Sequence, residues 1–235
     1  MQRAPLTIAV AQPHTVTTDV AANATEHATA IRTTNARVVV FPELSLTGYA
    51  LDAPTVALDD PRLTPIVAAC AATGTTALAG APVDDDAGRT YIATLAIDGG
   101  GARVVYRKTH LHHSEERFSP GDGPAVLVID AWRLGLAICR DTAFPEHDAA
   151  AAALGMDVYV ASVLDHSFDA DTACERAQRV TSDHGTWVAV SSFAGSTGGG
   201  FADAAGRSGI WAPDGGIRAR AGSQPGEIAK AVVHR

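Results

Sequence analysis

Short apolar runs alternate with alanine-rich stretches along most of the chain, and this alternation is the strongest constraint on its fold. Short apolar runs closed by Gly, Pro or charge are typical of buried strands, whereas longer alanine-rich stretches favour helices. The predicted strands are 6–11, 37–42, 75–80, 91–97, 102–107, 125–130, 133–138, 157–162, 187–192, 207–212 and 227–233. The predicted helices are 18–34, 62–73, 145–154 and 170–184.

The order of these elements predicts an α/β fold with layered sheets. It runs βαβαβ, continues as a series of strands, and returns to βαβαβ before a strand-rich tail. Because too few helices separate the middle strands for a barrel or one singly wound sheet, we expect two sheets packed together. No internal repeat or low-complexity linker interrupts the chain, so residues 1–235 are expected to form a single domain.

Three predicted strands end in a chemically reactive side chain. One apolar run ends at Glu43, a second at Lys108, and a third delivers Cys139 to a polar segment that contains Pro145. Strand ends are where α/β folds build their sites. The three side chains therefore form a candidate catalytic set.

A thiol, an acid and an amine together suit nucleophilic catalysis. A thiol becomes a good nucleophile when a base takes its proton, and a carboxylate in a partly apolar pocket has its pKa raised toward neutrality. A nearby lysine stabilises the oxyanion of a tetrahedral intermediate. We therefore predict that Cys139 attacks a carbonyl or nitrile carbon, Glu43 transfers the proton, and Lys108 holds the developing charge.

Composition and charge exclude several other classes of protein. The formal charge of −8 is spread along the chain, which argues against nucleic-acid and anionic-membrane partners. No stretch approaches the roughly 20 apolar residues of a membrane helix. Three cysteines without compact spacing suit a reducing compartment, so a cytoplasmic location is expected.

Three blocks of sequence resemble the signature blocks of the nitrilase, or carbon–nitrogen hydrolase, superfamily. They are VVFPELSLTGY at 39–49, YRKTHL at 106–111 and GLAICRDTAFPE at 135–146. Their order matches the family, as do the intervals of 65 residues from Glu43 to Lys108 and 31 from Lys108 to Cys139. Residues 9–12 and 206–215 resemble the family's first strand and a late one.

The resemblance implies a four-layer α-β-β-α sandwich that forms a homodimer through its helical face, or a higher homo-oligomer. It also implies a Glu-Lys-Cys triad of Glu43, Lys108 and Cys139, and a second site glutamate after the lysine. The sequence leaves this second glutamate open between Glu115 and Glu116. The activity implied is an amidase that acts on a small carboxamide.

Several alternatives stay open at this stage. A nitrile hydrolase or N-carbamoyl-amino-acid hydrolase would use the same chemistry, and a non-catalytic member would only bind a metabolite. Tyr49 and Trp187 are candidates for either the core or the pocket wall, and Arg140 and Arg117 are candidates for pairing with a substrate carboxylate.

Neither a metal nor a cofactor is expected. The three histidines His110, His112 and His113 lie within four residues of one another, where their rings point in different directions and no structural-zinc spacing accompanies them. The glycine-rich segment 196–200 is predicted as a mobile surface loop and lacks the lysine of a phosphate-binding loop. Cys70 fits an apolar helix face, and Cys174 an exposed position on a charged helix.

Overall fold

The computed structural model describes residues 4–197 and 200–234. Numbered along the chain, the strands are β1 (Leu6–Ala11), β2 (Val38–Val40), β3 (Thr76–Asp84), β4 (Thr90–Asp98), β5 (Gly101–Arg107), β6 (Ala125–Ile129), β7 (Trp132–Ile138), β8 (Val158–Val163), β9 (Trp187–Ser192), β10 (Ala194–Gly195), β11 (Ala204–Ala205), β12 (Gly209–Trp211), β13 (Ile217–Arg220) and β14 (Ile228–Val233). The α-helices are α1 (Val20–Thr34), α2 (Thr64–Thr73), α3 (Pro145–Ala153) and α4 (Thr172–His184). Short 3₁₀ turns cover Pro61–Leu63, His113–Glu115, Cys139–Ala143 and Ser167–Asp169.

The helices begin and end where the sequence supplies caps. Asp19 accepts a hydrogen bond from the backbone N–H of Ala22 at the start of α1, and α3 begins at Pro145, which needs no N–H partner there. Helices α2 and α4 end at Gly74 and Gly185, both in the left-handed conformation. None of the helices in the described part of the chain has the length and apolar character needed to cross a membrane.

Within the described residues the strands form two six-stranded mixed sheets and one small hairpin-like pair. The first sheet has the order β14-β1-β2-β3-β4-β5, and the second has the order β13-β12-β9-β8-β7-β6. In each sheet the three central neighbours are parallel: β1, β2 and β3 in the first, and β7, β8 and β9 in the second. Parallel strands that are connected by helices are normally buried on both faces of their sheet, so other elements must pack on each face.

Alternating side chains divide each central strand between two cores. Ile8 of β1 and Leu136 of β7 belong to one core between the sheets, whereas Ala9 packs in a core that contains residues of α1 and α2. Ala137 of β7 packs instead in a core that contains residues of α3 and α4. Because successive side chains point to opposite faces of a strand, this pattern stacks helices, sheet, sheet and helices. The predicted four-layer α-β-β-α sandwich is confirmed.

The main differences from the sequence prediction lie at strand ends and edges. The strand predicted at 37–42 is only Val38–Val40, because Pro42 lacks the N–H that would continue the ladder. Strand β13 (Ile217–Arg220) was missed, since this edge strand is mostly exposed and has no apolar run. Of the surface loop predicted at 196–200, residues 198 and 199 lie outside the described residues.

The core between the sheets is expected to be the main source of stability. Leu136 is 1% exposed within it, whereas Leu154, at the end of α3, is 46% exposed. We expect Leu136→Ala to lower the free energy of unfolding by about 2–5 kcal/mol, through lost burial and a residual cavity. Leu154→Ala is the matched control, with an expected change of about 0.5 kcal/mol or less. Urea unfolding measures both, and equal losses would contradict the assignment of this core.

Candidate active site

Glu43 lies in a tight turn that begins where β2 ends. The N–H of Phe41 still donates to the carbonyl of Leu78 at 2.9 Å, but Pro42 has no N–H to offer β3. Leu44 then adopts a φ of +52°, a conformation that non-glycine residues seldom adopt. The turn directs the carboxylate of Glu43 into the interior, where the residue is fully buried.

Helix α1 braces this turn through His27. Its Nδ1 lies 2.6 Å from the carbonyl oxygen of Asn23, its Nε2 lies 2.9 Å from Ser45 Oγ, and its ring stacks on Phe41. Burial lowers the pKa of His27 to about 4, although its hydrogen bond to Asn23 works in the opposite direction. The ring is therefore neutral near pH 7 and serves as a polar link between helix and turn.

Lys108 follows the last residue of β5 and reaches two carboxylates. Its backbone N–H donates to the carbonyl of Ile92 at 2.8 Å, which fixes the residue beside β4. Its Nζ donates to Glu43 Oε1 at 2.7 Å and to Glu115 Oε1 at 2.7 Å. The side chains of all three residues are at most 1% exposed. The structure thus brings two predicted members of the triad into direct contact.

The two candidate glutamates after Lys108 lie in different places. Glu115 ends a short 3₁₀ turn, and its Oε2 accepts a hydrogen bond from the N–H of His112 at 2.8 Å, while its Oε1 faces Lys108. Glu116 is exposed and borders a shallow surface depression with Arg117. Of the two glutamates that the sequence left open, Glu115 is the one whose carboxylate contacts Lys108.

The buried ions shift one another's protonation. Burial raises the pKa of Glu43 to about 7, and the ammonium of Lys108 offsets only part of that effect. Burial alone would lower the pKa of Lys108, but the negative charges of Glu43, Cys139 and Glu115 raise it above its usual value. Glu43 Oε2 has no hydrogen-bond partner among the described residues. A buried carboxylate that titrates near neutrality with one free oxygen can act as a general base.

Cys139 begins a 3₁₀ turn directly after β7, at the end of the second sheet. Its φ is +41°, and its Sγ lies 3.7 Å from the carbonyl oxygen of Leu164. Burial, followed by the charge of Glu43, raises the pKa of the Cys139 thiol well above its usual value. The thiol therefore stays protonated near pH 7 and needs a base to become a nucleophile.

Two arginines of α4 hold the cysteine turn from the outside. Thr142 Oγ1 donates to the carbonyl of Cys139 at 2.7 Å, and Arg176 donates to the same Thr142 hydroxyl at 3.0 Å. Arg179 donates to the carbonyl of Thr142 at 3.0 Å and pairs with the carboxylate of Asp148 at 2.8 Å. These bonds fix a strained turn that backbone preference alone would not hold.

Asp141 is a buried residue that connects the cysteine turn to the other sheet. Its Oδ2 accepts hydrogen bonds from the N–H of Ile138 at 2.9 Å and from the hydroxyl of Tyr106 at 2.7 Å. Its Oδ1 accepts from the N–H of His110 at 2.8 Å. The cysteine turn of the second sheet is thereby tied to the end of β5 in the first sheet. The block that contains Cys139 also contains Asp141, and this proximity was the available signal.

One cavity of about 300 Å³ brings most of the predicted residues together. Tyr49, Lys108, Glu115, Cys139 and Arg140 all line it, whereas Glu43 is buried behind Lys108. The cavity also has lining residues that the sequence prediction did not name: Asp165, His166, Asp169, Arg176 and Phe201. Asp165 and His166 follow the end of β8, so the strand-end criterion that identified Cys139 applies to them equally.

The remaining candidates lie outside the catalytic contacts. Arg117 donates to the carbonyl of Ala53 at 2.9 Å and does not line the cavity. His110 stacks on Phe144 at 4.1 Å. Cys70 is buried in α2, as predicted from its apolar helix face, and burial raises its pKa to about 11.

Comparison with known protein families assigns this fold and site to one of them. The sequence model of the family "Carbon-nitrogen hydrolase" matches residues 7–235. The chain therefore belongs to the carbon–nitrogen hydrolase family, and the resemblance drawn from the three sequence blocks is confirmed.

Curated relatives share parts of the sequence. The chain is 37% identical to the "Hydrolase in pqqF 5'region" of Pseudomonas protegens over 65% of its own length and 58% of that protein. It is 40% identical to an "(R)-stereoselective amidase" of a Pseudomonas species over 31% of its length and 27% of that protein. The matches thus span less than two thirds of either relative.

Solved structures match the fold over nearly the whole chain. Nit3 of Saccharomyces cerevisiae, a member of branch 10 of the nitrilase superfamily, matches with a TM-score of 0.87 at 22% identity, over 99% of this chain and 91% of that one. An amidase from a Nesterenkonia species matches with a TM-score of 0.85 at 22% identity, over 100% and 92% of the two chains. At this identity the likeness establishes the fold.

The Glu43 turn depends on the absence of a side chain at Gly80. A Cβ there would lie 2.2 Å from the backbone nitrogen of Leu44 and 2.7 Å from the carbonyl oxygen of Pro42. We expect Gly80→Ala to lower the free energy of unfolding by about 1–3 kcal/mol or more, because the turn must move.

Gly100→Ala is the control for this substitution. Its Cβ would meet only the carboxylate of Asp98, at 3.2 Å, on an exposed hairpin. Urea unfolding of both variants tests the close approach. Equal stability of the Gly80 and Gly100 variants would contradict it.

Proposed function

We propose that this protein is an amidase that releases ammonia from a small carboxamide through a thioester on Cys139. The observation that carries the proposal is the cavity that Cys139 and Lys108 both line, with the buried carboxylate of Glu43 hydrogen-bonded to Lys108 and near enough to raise the pKa of the Cys139 thiol. Relatives named amidase and formamidase favour an amide over a nitrile as the substrate. Activity, substrate and catalytic roles are proposed for this chain on those grounds.

The first half of the reaction forms the thioester. As Cys139 Sγ attacks the amide carbon, the thiol proton passes to the carboxylate of Glu43 and the carbonyl electrons move to oxygen. The ammonium of Lys108 and the backbone N–H of Arg140 stabilise this oxyanion. The oxyanion then collapses, the C–N bond breaks, and Glu43 returns its proton to the leaving nitrogen, so that ammonia departs.

The second half returns the free enzyme. Glu43 takes a proton from a water molecule whose oxygen attacks the thioester carbon. The second tetrahedral intermediate collapses with cleavage of the C–S bond, and the proton on Glu43 returns to the sulfur. The products are a carboxylic acid and the Cys139 thiol, with every proton accounted for.

Glu115 has a positioning role in this scheme. It shares the ammonium of Lys108 with Glu43 at the same distance of 2.7 Å, and its second oxygen is held by the N–H of His112. Lys108 is therefore fixed between two carboxylates and stays charged throughout the cycle. Fixed charge aimed at a developing oxyanion lowers the barrier because no reorganisation is needed during the reaction.

The first test is ammonia release from a panel of primary amides, nitriles and N-carbamoyl amino acids. We expect release from amides by the wild-type protein and a loss of at least about 10³-fold in Cys139→Ala, since removing a nucleophile removes the covalent route. Cys174→Ala, which removes a half-buried thiol outside the cavity, is the control and keeps full turnover.

The panel also decides between the alternatives. Release only from nitriles or from N-carbamoyl amino acids would replace the amidase proposal with one of those two activities. Amide turnover that survives in a folded Cys139→Ala protein would overturn the thioester mechanism. Binding of a panel compound without release of ammonia would favour the alternative hypothesis, a non-catalytic protein that only binds a metabolite.

The pH dependence of turnover tests Glu43 as the base. The pKa of Glu43 is raised to about 7, and only its ionised form accepts the thiol proton. We expect kcat/KM to rise roughly tenfold per pH unit below that pKa and to level off above it. A profile measured between about pH 5.5 and 8.5, with circular dichroism as the control for folding, checks this. A flat profile would contradict the assignment of Glu43.

Two further expectations stay predictions. A homodimer that pairs through the helical face follows from the family resemblance, and a cytoplasmic location follows from cysteine usage. Sedimentation velocity tests the first, and fractionation of the source cells tests the second.

A further inference from the structure

One wall of the cavity is a series of aromatic rings in contact. The Phe201 ring meets Tyr49 edge-on, with centroids 4.8 Å apart and an interplanar angle of 86°. The His166 ring lies against Phe201 at 5.0 Å, and Phe168 stacks on the outer side of His166 at 4.8 Å. Tyr49, Phe201 and His166 line the cavity, whereas Phe168 does not and is 80% exposed.

The cavity is larger than the smallest amides need. At about 300 Å³ it lies at the lower end of the range for small-molecule pockets, roughly 300–1,000 Å³. Formamide or acetamide bound at Cys139 would fill only a small part of this volume and would leave the aromatic wall wet. An acyl group with a larger apolar substituent fills the space and removes the rings from water.

The charges around the cavity do not favour an ionic substituent. Three cationic side chains and three anionic ones line it: Lys108, Arg140 and Arg176 against Glu115, Asp165 and Asp169. Lys108 pairs with Glu115, and burial raises the pKa of Asp165, although the charge of Arg176 opposes this rise. Selectivity on this wall therefore comes from ring contact more than from net charge.

We propose that the preferred substrate is a primary amide whose acyl group carries an aromatic ring, which packs against Phe201 and His166 while the amide carbon lies at Cys139. This inference rests on the proposed amidase function and adds the substrate class. Edge-to-face and offset contacts between rings add affinity beyond area burial, equivalent to roughly three- to tenfold in binding.

The test compares phenylacetamide, cyclohexylacetamide and acetamide as substrates of the wild-type protein. Phenylacetamide and cyclohexylacetamide bury similar apolar area, and only the first offers a flat ring. We expect kcat/KM to be at least about tenfold higher for phenylacetamide than for acetamide, and roughly threefold or more higher than for cyclohexylacetamide. Equal values for phenylacetamide and acetamide would overturn the proposal.

Variants locate the effect on the cavity wall. Phe201→Leu is expected to lower the ratio of kcat/KM for phenylacetamide to that for acetamide by roughly three- to tenfold, and Phe201→Tyr to restore it. Phe168→Leu is the matched control, because it removes a ring from the same stack that lies outside the cavity, and it leaves the ratio unchanged. An unchanged ratio in Phe201→Leu would contradict the proposal, as would an equal fall in both leucine variants.

Failure of this inference is distinguishable from failure of the proposed function. If acetamide is hydrolysed in a Cys139-dependent reaction while phenylacetamide gains no preference, the amidase function stands and the aromatic substrate class falls. If none of the three amides releases ammonia but a nitrile or an N-carbamoyl amino acid does, the proposed amidase function is the one that fails.

Discussion

The arrangement of this site depends on one buried ion cluster, in which the ammonium of Lys108 lies 2.7 Å from both Glu43 and Glu115. Removing each ion from water costs several kcal/mol, and mutual attraction offsets this only when the geometry is good and the remaining polar atoms are bonded. Glu115 meets that condition through the N–H of His112, whereas Glu43 keeps one oxygen without a partner among the described residues. Both carboxylate oxygens of Glu115 therefore have a hydrogen-bond partner, whereas in Glu43 only the oxygen that faces Lys108 has one in the described part of the chain.

Two carboxylates around one ammonium leave an excess negative charge in a buried place. Burial is the main reason that the pKa of Glu43 rises to about 7; the ammonium of Lys108 opposes this rise, and the charge of Glu115 adds to it. Burial, followed by the charge of Glu43, likewise raises the pKa of Cys139. Near neutral pH the carboxyl of Glu43 is therefore partly ionised, whereas the thiol of Cys139 stays protonated. In base-assisted attack the ionised carboxylate takes the thiol proton as the sulfur attacks.

The three candidate residues could be picked out from the sequence because strand ends are local features. The apolar runs that end at Glu43, Lys108 and Cys139 could each be recognised within a few residues. The order of strands and helices predicted two packed sheets, and the family resemblance implied the four layers. The sequence did not show which way each side chain points in the turn that follows its strand. Glu115 and Glu116 are neighbours in the chain, and only the 3₁₀ turn decides which of them faces Lys108.

Contacts between segments far apart in the chain could not be predicted from the sequence for the same reason. Asp141, which follows a strand of the second sheet, accepts hydrogen bonds from Tyr106 and His110. These two residues lie about 30 positions earlier in the chain, in and just after a strand of the first sheet. The ring wall joins Tyr49 to Phe201 across a still longer separation. Such pairs depend on how the two sheets pack face to face, and no local pattern of apolar residues encodes that packing.

Backbone strain occurs in both of the turns that form the site, and in both cases a helix holds the turn in place. Leu44, beside Glu43, and Cys139 itself both adopt positive φ, and a non-glycine residue in that region costs on the order of 1–3 kcal/mol. Each turn is held by partners from elsewhere: His27 of α1 braces the glutamate turn, and Arg176 of α4 braces the cysteine turn through Thr142. Helices on the outer faces of the sandwich therefore do more than cover the sheets. They hold the ends of opposite sheets in conformations that the backbone alone would not keep, and this is why the thiol of Cys139 and the amine of Lys108 can line one cavity, with the carboxylate of Glu43 behind the amine.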